Sequence, residues 1–325
     1  MSVARCVSGA LLAWRSEVSE QSAPAGMARF RKLWATREAI SATSPRLVQA
    51  RALILCALPY TPTAERSVTR TAQIGPGVRL SVTFTSVEPG VALPFGADRA
   101  LFGWIQTQAI RDDFVSLASL TGFFQAFDLH PSGRAYQCFR ARLARLECLA
   151  ISVRIDGPEE SLRLHLHPLK QARIPRAFET SDQAPPPTQI LRRSRYGFSL
   201  DPDFLAYLRA NPVPLSLPLM RLFHGRPKAW DLTAFVLYRS FVAKRPSVVP
   251  WSDLMAQLGS QDTYPRRLKA TLSQVLAEIR VVHPDLGARF LPAFGGLQIV
   301  PWRPVGDHLG RRRLRVDHET TGEPA

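Results

Sequence analysis

Cysteine is scarce in this sequence, and its spacing argues against a metal centre. The four cysteines, Cys6, Cys56, Cys138 and Cys148, form no Cys-x-x-Cys pair and have no histidines at the spacing of a structural zinc site. They are most simply interpreted as reduced thiols, which predicts a cytoplasmic protein.

Several other sequence signatures are missing as well. No apolar run reaches the length of a transmembrane helix, and residues 6–14 lack the charged flank and cleavage site of a signal peptide. No Gly-x-x-x-x-Gly-Lys-Ser/Thr motif occurs, so the chain is not expected to hydrolyse ATP. We therefore expect neither a membrane segment nor a cofactor. Met27 is a plausible alternative start to Met1.

Acidic residues are few relative to basic ones. The 325 residues include 26 Asp and Glu against 42 Lys and Arg, which gives a formal net charge of +16. With 46% hydrophobic residues, the chain can bury one large core or two moderate ones. A basic excess of this size, with a pI near 10.7, predicts a polyanionic partner.

A basic amphipathic helix is predicted from about Gly133. At 100° per residue, one face is apolar and the opposite face is basic, with Gln137 beside it. The apolar positions are Tyr136, Phe139, Leu143, Leu146 and Ala150, and the basic positions are Arg134, Arg142 and Arg145. Such a face suits the recognition helix of a DNA-binding motif. Arginine is, however, also a good helix former on any solvated helix face, whether or not that face binds DNA.

The flanking segments complete a winged helix-turn-helix pattern. Residues 119–127 predict a short helix, and residues 128–133, with Pro131 and Gly133, predict a turn. After the basic helix, two alternating segments, 150–155 and 162–167, surround the turn residues Asp156 and Gly157. We interpret this hairpin as the wing.

The same order of elements recurs near residues 248–299. A short helix over 253–258 with Ser252 as its N-cap precedes a turn at Gly259, and Pro265 suits the start of a second helix. That helix is apolar on one face and small or basic elsewhere, and residues 288–300 predict another hairpin. Its apolar positions are Leu268, Leu272, Val275 and Ile279, and its other positions include Arg266, Arg267, Lys269, Ser273 and Ala277.

These patterns predict an α+β fold, predominantly helical, with tandem winged helix-turn-helix domains and short β-hairpin wings. The predicted parts are a loosely structured extension (1–44), a first winged-helix domain (45–170), a Pro-rich basic linker (171–195), a second winged-helix domain (196–305) and a polar basic tail (306–325). The predicted DNA-binding residues are Arg134, Gln137, Arg142, Arg145, Arg192, Arg193, Arg195, Arg266, Arg267 and Lys269.

Two sets of short motifs resemble the RepA-type plasmid replication initiators over residues 50–305. The first set is Leu93-Pro94-Phe95-Gly96, Asp98-Arg99 and Gly133-Arg134 with the helical segments around them. The second set includes Asn211-Pro212-Val213-Pro214, Trp230-Asp231-Leu232, Val249-Pro250-Trp251 and Gln257-Leu258-Gly259.

The resemblance implies a protein that binds repeated duplex sites at a plasmid origin and helps to open the duplex. It also implies partners in the host, namely the replication initiator and helicase machinery, and an equilibrium between monomers and dimers. The residue pattern itself predicts only the DNA-binding architecture.

Two alternatives stay open. His165-Leu166-His167 would place two imidazoles on the same side of a strand, as in metal-dependent nicking enzymes of the rolling-circle type. That chemistry needs a nucleophilic tyrosine, yet Tyr136 falls on a core face and neither Tyr136 nor Tyr238 begins a Tyr-x-x-x-Lys pattern. We therefore favour a non-enzymatic protein. The second alternative is a winged-helix transcriptional repressor.

Overall fold

The chain folds into a mixed α+β structure in which helical residues outnumber strand residues and the sheets are small, as predicted. The computed structural model describes residues 25–41, 43–117, 120–174, 196–259, 265–291 and 295–302. Within these ranges no helix combines the length and the apolar composition needed to cross a bilayer.

The helices and strands are numbered in chain order. Up to residue 166 they are α1 (Ala25–Ala39), β1 (Arg46–Ala50), α2 (Arg51–Leu55), β2 (Ser67–Gly75), β3 (Val78–Ser86), α3 (Asp98–Ala109), β4 (Phe114–Ser116), α4 (Leu120–Ala126), α5 (Gly133–Glu147), β5 (Leu149–Asp156) and β6 (Ser161–Leu166). From there they are β7 (Leu169–Arg173), β8 (Gly197–Leu200), α6 (Pro202–Ala210), β9 (Pro212–Ser216), α7 (Leu217–Arg221), α8 (Pro227–Val242), β10 (Ser247–Pro250), α9 (Trp251–Leu258), α10 (Pro265–Val282), β11 (Arg289–Leu291) and β12 (Gly296–Ile299).

The amino-terminal region is more ordered than the sequence predicted. Residues 25–39, assigned to a loose extension, form helix α1, whose Leu33 is buried and which packs against α10 and α7. β1 pairs antiparallel with β9, which was assigned to the second domain. This long-range pairing extends residues 46–50, although their apolar spacing also fits a helix.

Strands β2, β3, β5 and β6 form one antiparallel sheet in that order. The predicted hairpin over residues 150–167 is present as β5 and β6. However, β5 also pairs along its whole length with β3, from Arg79 opposite Asp156 to Ser86 opposite Leu149. The hairpin is therefore part of a four-stranded sheet, and its interpretation as a separate wing is corrected.

A second sheet has the order β4, β8, β7. β7 and β8 are antiparallel, with Arg173 opposite Gly197, so the segment between them joins two neighbouring strands of one sheet. This pairing corrects the predicted linker at 171–195, because residues 171–173 lie in β7. It also corrects the boundary at residue 196, because β8 pairs with β4 of the first half.

A third sheet repeats this arrangement with the order β10, β12, β11. In each case a helix precedes the first strand, two helices follow it, and the last two strands form the rest of the sheet. We name these sets the first unit (α3, β4, α4, α5, β7, β8) and the second unit (α8, β10, α9, α10, β11, β12). The first unit differs by the insertion of β5 and β6 between its last helix and its last two strands.

The central strands of the two units also match residue by residue. β8 and β12 both begin with glycine and have the same burial pattern, with only their third residue half-buried. Gly197 lies opposite Ser116, the last residue of β4, and Gly296 lies opposite Pro250, the last residue of β10. A Cβ at Gly197 would overlap the carbonyl oxygen of Val115, and a Cβ at Gly296 would overlap that of Val249.

The two units share one hydrophobic core. Phe127 follows α4 of the first unit, and its ring centroid lies 6.0 Å from that of Trp230 on α8. Phe123 lies 5.2 Å from Phe127 and extends the aromatic cluster towards α5. The units are therefore packed together through aromatic side chains.

A buried ion pair joins the first helices of the two units. Arg99 on α3 donates from Nε to both carboxylate oxygens of Asp231 on α8, at 2.9 and 2.8 Å. Arg99 Nη1 also donates to the carbonyl oxygens of Pro59 and Gly96, at 3.1 and 2.7 Å. Its guanidinium lies 4.8 Å from the ring centroid of Tyr60. Burial raises the pKa of Asp231 to about 6, and the neighbouring Arg99 opposes that rise.

Replacing Asp231 with Ala should destabilise the protein strongly. The change leaves the Arg99 guanidinium buried without its carboxylate, which typically costs about 3–5 kcal/mol. Asp113→Ala is the matched control, because Asp113 pairs with Arg209 at 2.6 Å but is 73% exposed. Exposed pairs contribute about 1 kcal/mol or less. The free energies of unfolding, measured in denaturant, should differ accordingly, and equal losses would contradict the assigned role of the buried pair.

Replacing Gly197 with Ala should also destabilise the fold, because the added Cβ meets the backbone of β4. Overpacking of this kind typically costs about 1–3 kcal/mol. Gly122→Ala, on α4, provides a control, since a Cβ there meets nothing within 4 Å. If the two variants unfold at the same denaturant concentration, that result would contradict the close approach of β8 to the backbone of β4.

Candidate nucleic-acid interface

Helix α5 begins where the sequence predicted. The Ser132 hydroxyl accepts a hydrogen bond from the N–H of Ala135 at 3.2 Å and thereby caps the helix. The predicted apolar face is confirmed for Tyr136, Phe139, Leu143 and Leu146, all of which are buried. Ala150, included in that face, instead lies in β5.

The outer face of α5 is less basic than predicted. Arg134, Cys138, Ala141 and Ala144 are exposed along it. Gln137, by contrast, is half-buried. The exposed surface therefore consists of one arginine followed by small side chains, an arrangement that permits close approach to another molecule.

Arg142 and Arg145 contribute to the fold itself. Arg145 donates from Nε and Nη2 to the two carboxylate oxygens of Asp98 at 2.7 and 3.0 Å, and Arg142 Nε lies 3.6 Å from Asp98 Oδ1. Asp98, at the start of α3, is only 1% exposed. The Arg145 guanidinium also lies 4.6 Å from the ring centroid of Phe95.

This arrangement corrects the prediction that both arginines lie on a free face. A buried carboxylate requires a cationic partner, and here these two side chains supply it. Their positive charge is partly neutralised within the protein.

Helix α10 of the second unit presents a clearly basic outer face. Its predicted apolar residues are buried, and its predicted basic residues are exposed close to the amino end. The exposed positions are Arg266, Arg267, Lys269, Ala270, Ser273, Gln274, Ala277 and Arg280. Lys269 Nζ lies 4.9 Å from the ring centroid of Trp251 on α9, so that side chain also contacts the preceding helix. Among the described helices, α10 thus matches the predicted recognition surface best.

The inner side of α10 is fixed by a buried carboxylate. Glu278 accepts from Arg29 Nη2 at 2.6 Å and from Arg226 Nη1 at 2.7 and 2.8 Å. Arg29 lies on α1 and Arg226 immediately precedes α8, so three helices meet at one side chain. Glu278 therefore holds α10 in place from behind.

The turn between α9 and α10 begins at a glycine that the backbone requires. Gly259 has a φ of 61°, in the left-handed region, and donates its N–H to the carbonyl oxygen of Met255. A Cβ at this position would overlap the guanidinium of Arg70 on β2. Gly259 thus lies directly against a side chain of the four-stranded sheet.

Three predicted residues, Arg192, Arg193 and Arg195, lie outside the described residues. They belong to the segment that connects β7 with β8. Their predicted contact with DNA stays a prediction, as do the roles of the residues on α5 and α10.

The two histidines of the nicking-enzyme alternative lie at the end of β6. His165 and His167 are exposed, and His165 Nδ1 lies 2.7 Å from the hydroxyl of Ser152 on β5. In the part of the chain that the structure describes, no group of three or more His, Cys, Asp or Glu side chains is arranged to hold a metal ion.

The sequence missed the strand pair of the first unit that corresponds to β11 and β12. This pair is β7 and β8, and its exposed Lys170 and Arg173 were not among the predicted residues. The signal that could have found it is the likeness of Gly-Phe-Ser-Leu at 197–200 to Gly-Leu-Gln-Ile at 296–299, since glycine begins both strands.

Comparisons with known proteins give a limited result. No family model matches the chain, and no curated protein matches it. Crystal structures of domains 2 and 3 of RctB are similar in part. One is 15% identical with a TM-score of 0.43, covering 74% of this chain and 93% of the other. A second is 14% identical with a TM-score of 0.41, covering 76% and 94%. At these values the likeness decides neither fold nor function.

Replacing both His165 and His167 with Ala should leave DNA binding unchanged, because both side chains are exposed and neither belongs to a metal-binding group in the described ranges. The purified protein should also leave supercoiled plasmid intact in magnesium or manganese. Strand cleavage by the natural sequence that disappears in the double variant would favour the nicking enzyme instead.

Proposed function

We propose that this protein is a non-enzymatic, sequence-specific binder of duplex DNA that initiates plasmid replication. Its two winged helix-turn-helix units would bind repeated sites at the origin, and the protein would recruit the host initiator and helicase. The observation that carries the proposal is the repeated unit, in which a strand, two helices and two further strands occur twice in the same sheet order.

The chemistry of the exposed helix faces supports DNA as the partner. Arg266, Arg267 and Lys269 lie near the amino end of α10, where side chains of a recognition helix meet base edges and phosphates. Ser273 and Ala277 follow on the exposed side, and their small size permits deep entry into a major groove. The net charge of +16 adds a general attraction to the phosphate backbone.

The first unit contributes differently in this proposal. Arg134 is its exposed arginine among the predicted residues of α5, while Arg142 and Arg145 support the fold through Asp98. We therefore assign the larger share of direct binding to α10. The first unit would add a second groove contact, and both would occupy neighbouring turns of the duplex.

The initiator role rests on the resemblance to the RepA-type family and goes beyond DNA binding. A transcriptional repressor would make the same contacts with DNA, so binding alone does not separate the two. Gene neighbourhood does: short repeats beside an AT-rich stretch are expected for an initiator. The monomer–dimer equilibrium belongs to the same proposal.

Reversing charge at Arg266 and Arg267 should abolish specific binding. Duplexes selected from a random pool by the full chain serve as the probe, and affinity is measured over a range of salt concentrations. For every phosphate that the variant no longer binds, the slope of log affinity against log salt should flatten by about 0.9. Arg79→Glu with Arg111→Glu is the control, since both residues are exposed and the change in net charge is the same. Equal effects of the two double variants would contradict a specific role for α10.

The initiator role has its own test. A plasmid that carries this gene, and whose only origin is the neighbouring set of repeats, should replicate. The same plasmid encoding the Arg266→Glu, Arg267→Glu variant should not replicate. Normal binding to the repeats without any replication would favour the repressor.

A further inference from the structure

The strand pair β7 and β8 of the first unit occupies the position of β11 and β12 in the second. β8 lies between β4 and β7, as β12 lies between β10 and β11. Arg173 is paired with Gly197, as Leu291 is paired with Gly296. In a winged helix-turn-helix this strand pair is the wing, so the wing of the first unit is β7 with β8.

Strand β7 combines one buried apolar residue with exposed polar ones. Leu169 faces the core, whereas Lys170, Gln171 and Arg173 are exposed. Within the described ranges, Lys170 and Arg173 make no ion pair. Asp201 is near the start of the strand, but its carboxylate accepts from the N–H of Asp203 and caps α6. The basic side chains of β7 are therefore available to an external anion.

Strand β7 also packs against α5, the helix of the first unit that presents Arg134. The wing and the candidate recognition helix are thus neighbours on the surface. A duplex that received α5 in its major groove would bring its adjacent backbone to β7, because phosphates border the groove on both sides.

We propose that β7 is a phosphate-binding element of the first unit, in which Lys170 and Arg173 bind the DNA backbone beside the groove that receives α5. This inference rests on the proposed function and adds to it a named contact. Lysine and arginine bind phosphate without reading sequence, so these residues contribute affinity and position rather than base preference. They also compensate for the arginines of α5 that Asp98 engages.

The test uses the full chain with Lys170→Gln and Arg173→Gln, because neutral and polar replacements of exposed side chains leave the fold intact. The probe is the duplex selected by the natural sequence. We expect the salt slope to fall by about 0.9 for each phosphate that is no longer bound, while selection from a random pool returns the same preferred sequence. Ethylation of phosphates beside the groove that receives α5 should interfere with binding of the natural protein. The same ethylation should not affect binding of the variant.

Arg79→Gln with Arg111→Gln serves as the control, since it changes net charge equally. Suppose that the Lys170→Gln, Arg173→Gln variant gives the same salt slope and the same interference pattern as the natural protein, while the α10 variants still fail to bind. That result would overturn the inference. An altered sequence preference would overturn it too, since it would show base contacts. If the natural sequence binds no duplex at all, the proposed function fails together with it.

Discussion

The buried pair of Arg99 and Asp231 is the interaction on which the arrangement of the molecule depends. Two charged groups inside a protein are stable only when each satisfies the other and the remaining donors find acceptors. Here the Asp231 carboxylate accepts hydrogen bonds from Nε of Arg99, and the backbone carbonyls of Pro59 and Gly96 accept from its Nη1. Because the pair connects α3 with α8, the first helix of one unit is fixed against the first helix of the other. The units are consequently neighbours in one body, and their exposed helices have a fixed relation to each other.

Periodicity predicted the elements whose packing is local. The apolar face of α5 and that of α10 follow from helical spacing, and the two helices begin at Gly133 and Pro265, as the sequence predicted. In strand β3 the buried Leu80, Val82 and Phe84 alternate with less buried residues, as the two-residue period of a strand requires. In these elements each residue's environment depends mainly on its own neighbours along the chain.

Long-range partners could not be predicted in the same way. The β5–β6 hairpin has the strongest local turn sequence, at Asp156 and Gly157, and the sequence therefore favours it as the wing. β7 and β8 pair across an intervening segment whose sequence shows no turn pattern. Likewise, Arg145 looked solvent-facing because its partner, Asp98, lies 47 residues earlier. Helix α1 was missed because its stability comes from contacts with α10 and not from a regular apolar face.

The pairing of β1 with β9 has a consequence for the timing of synthesis. Arg46 lies opposite Ser216, so β1 is made long before its partner strand exists. At a ribosomal rate of about 5–20 residues per second, the roughly 170 intervening residues require about 10–30 seconds. Residues 46–50 of the nascent chain therefore lack the partner that makes them a strand during this interval, and the two-stranded sheet of β1 and β9 forms only late in translation.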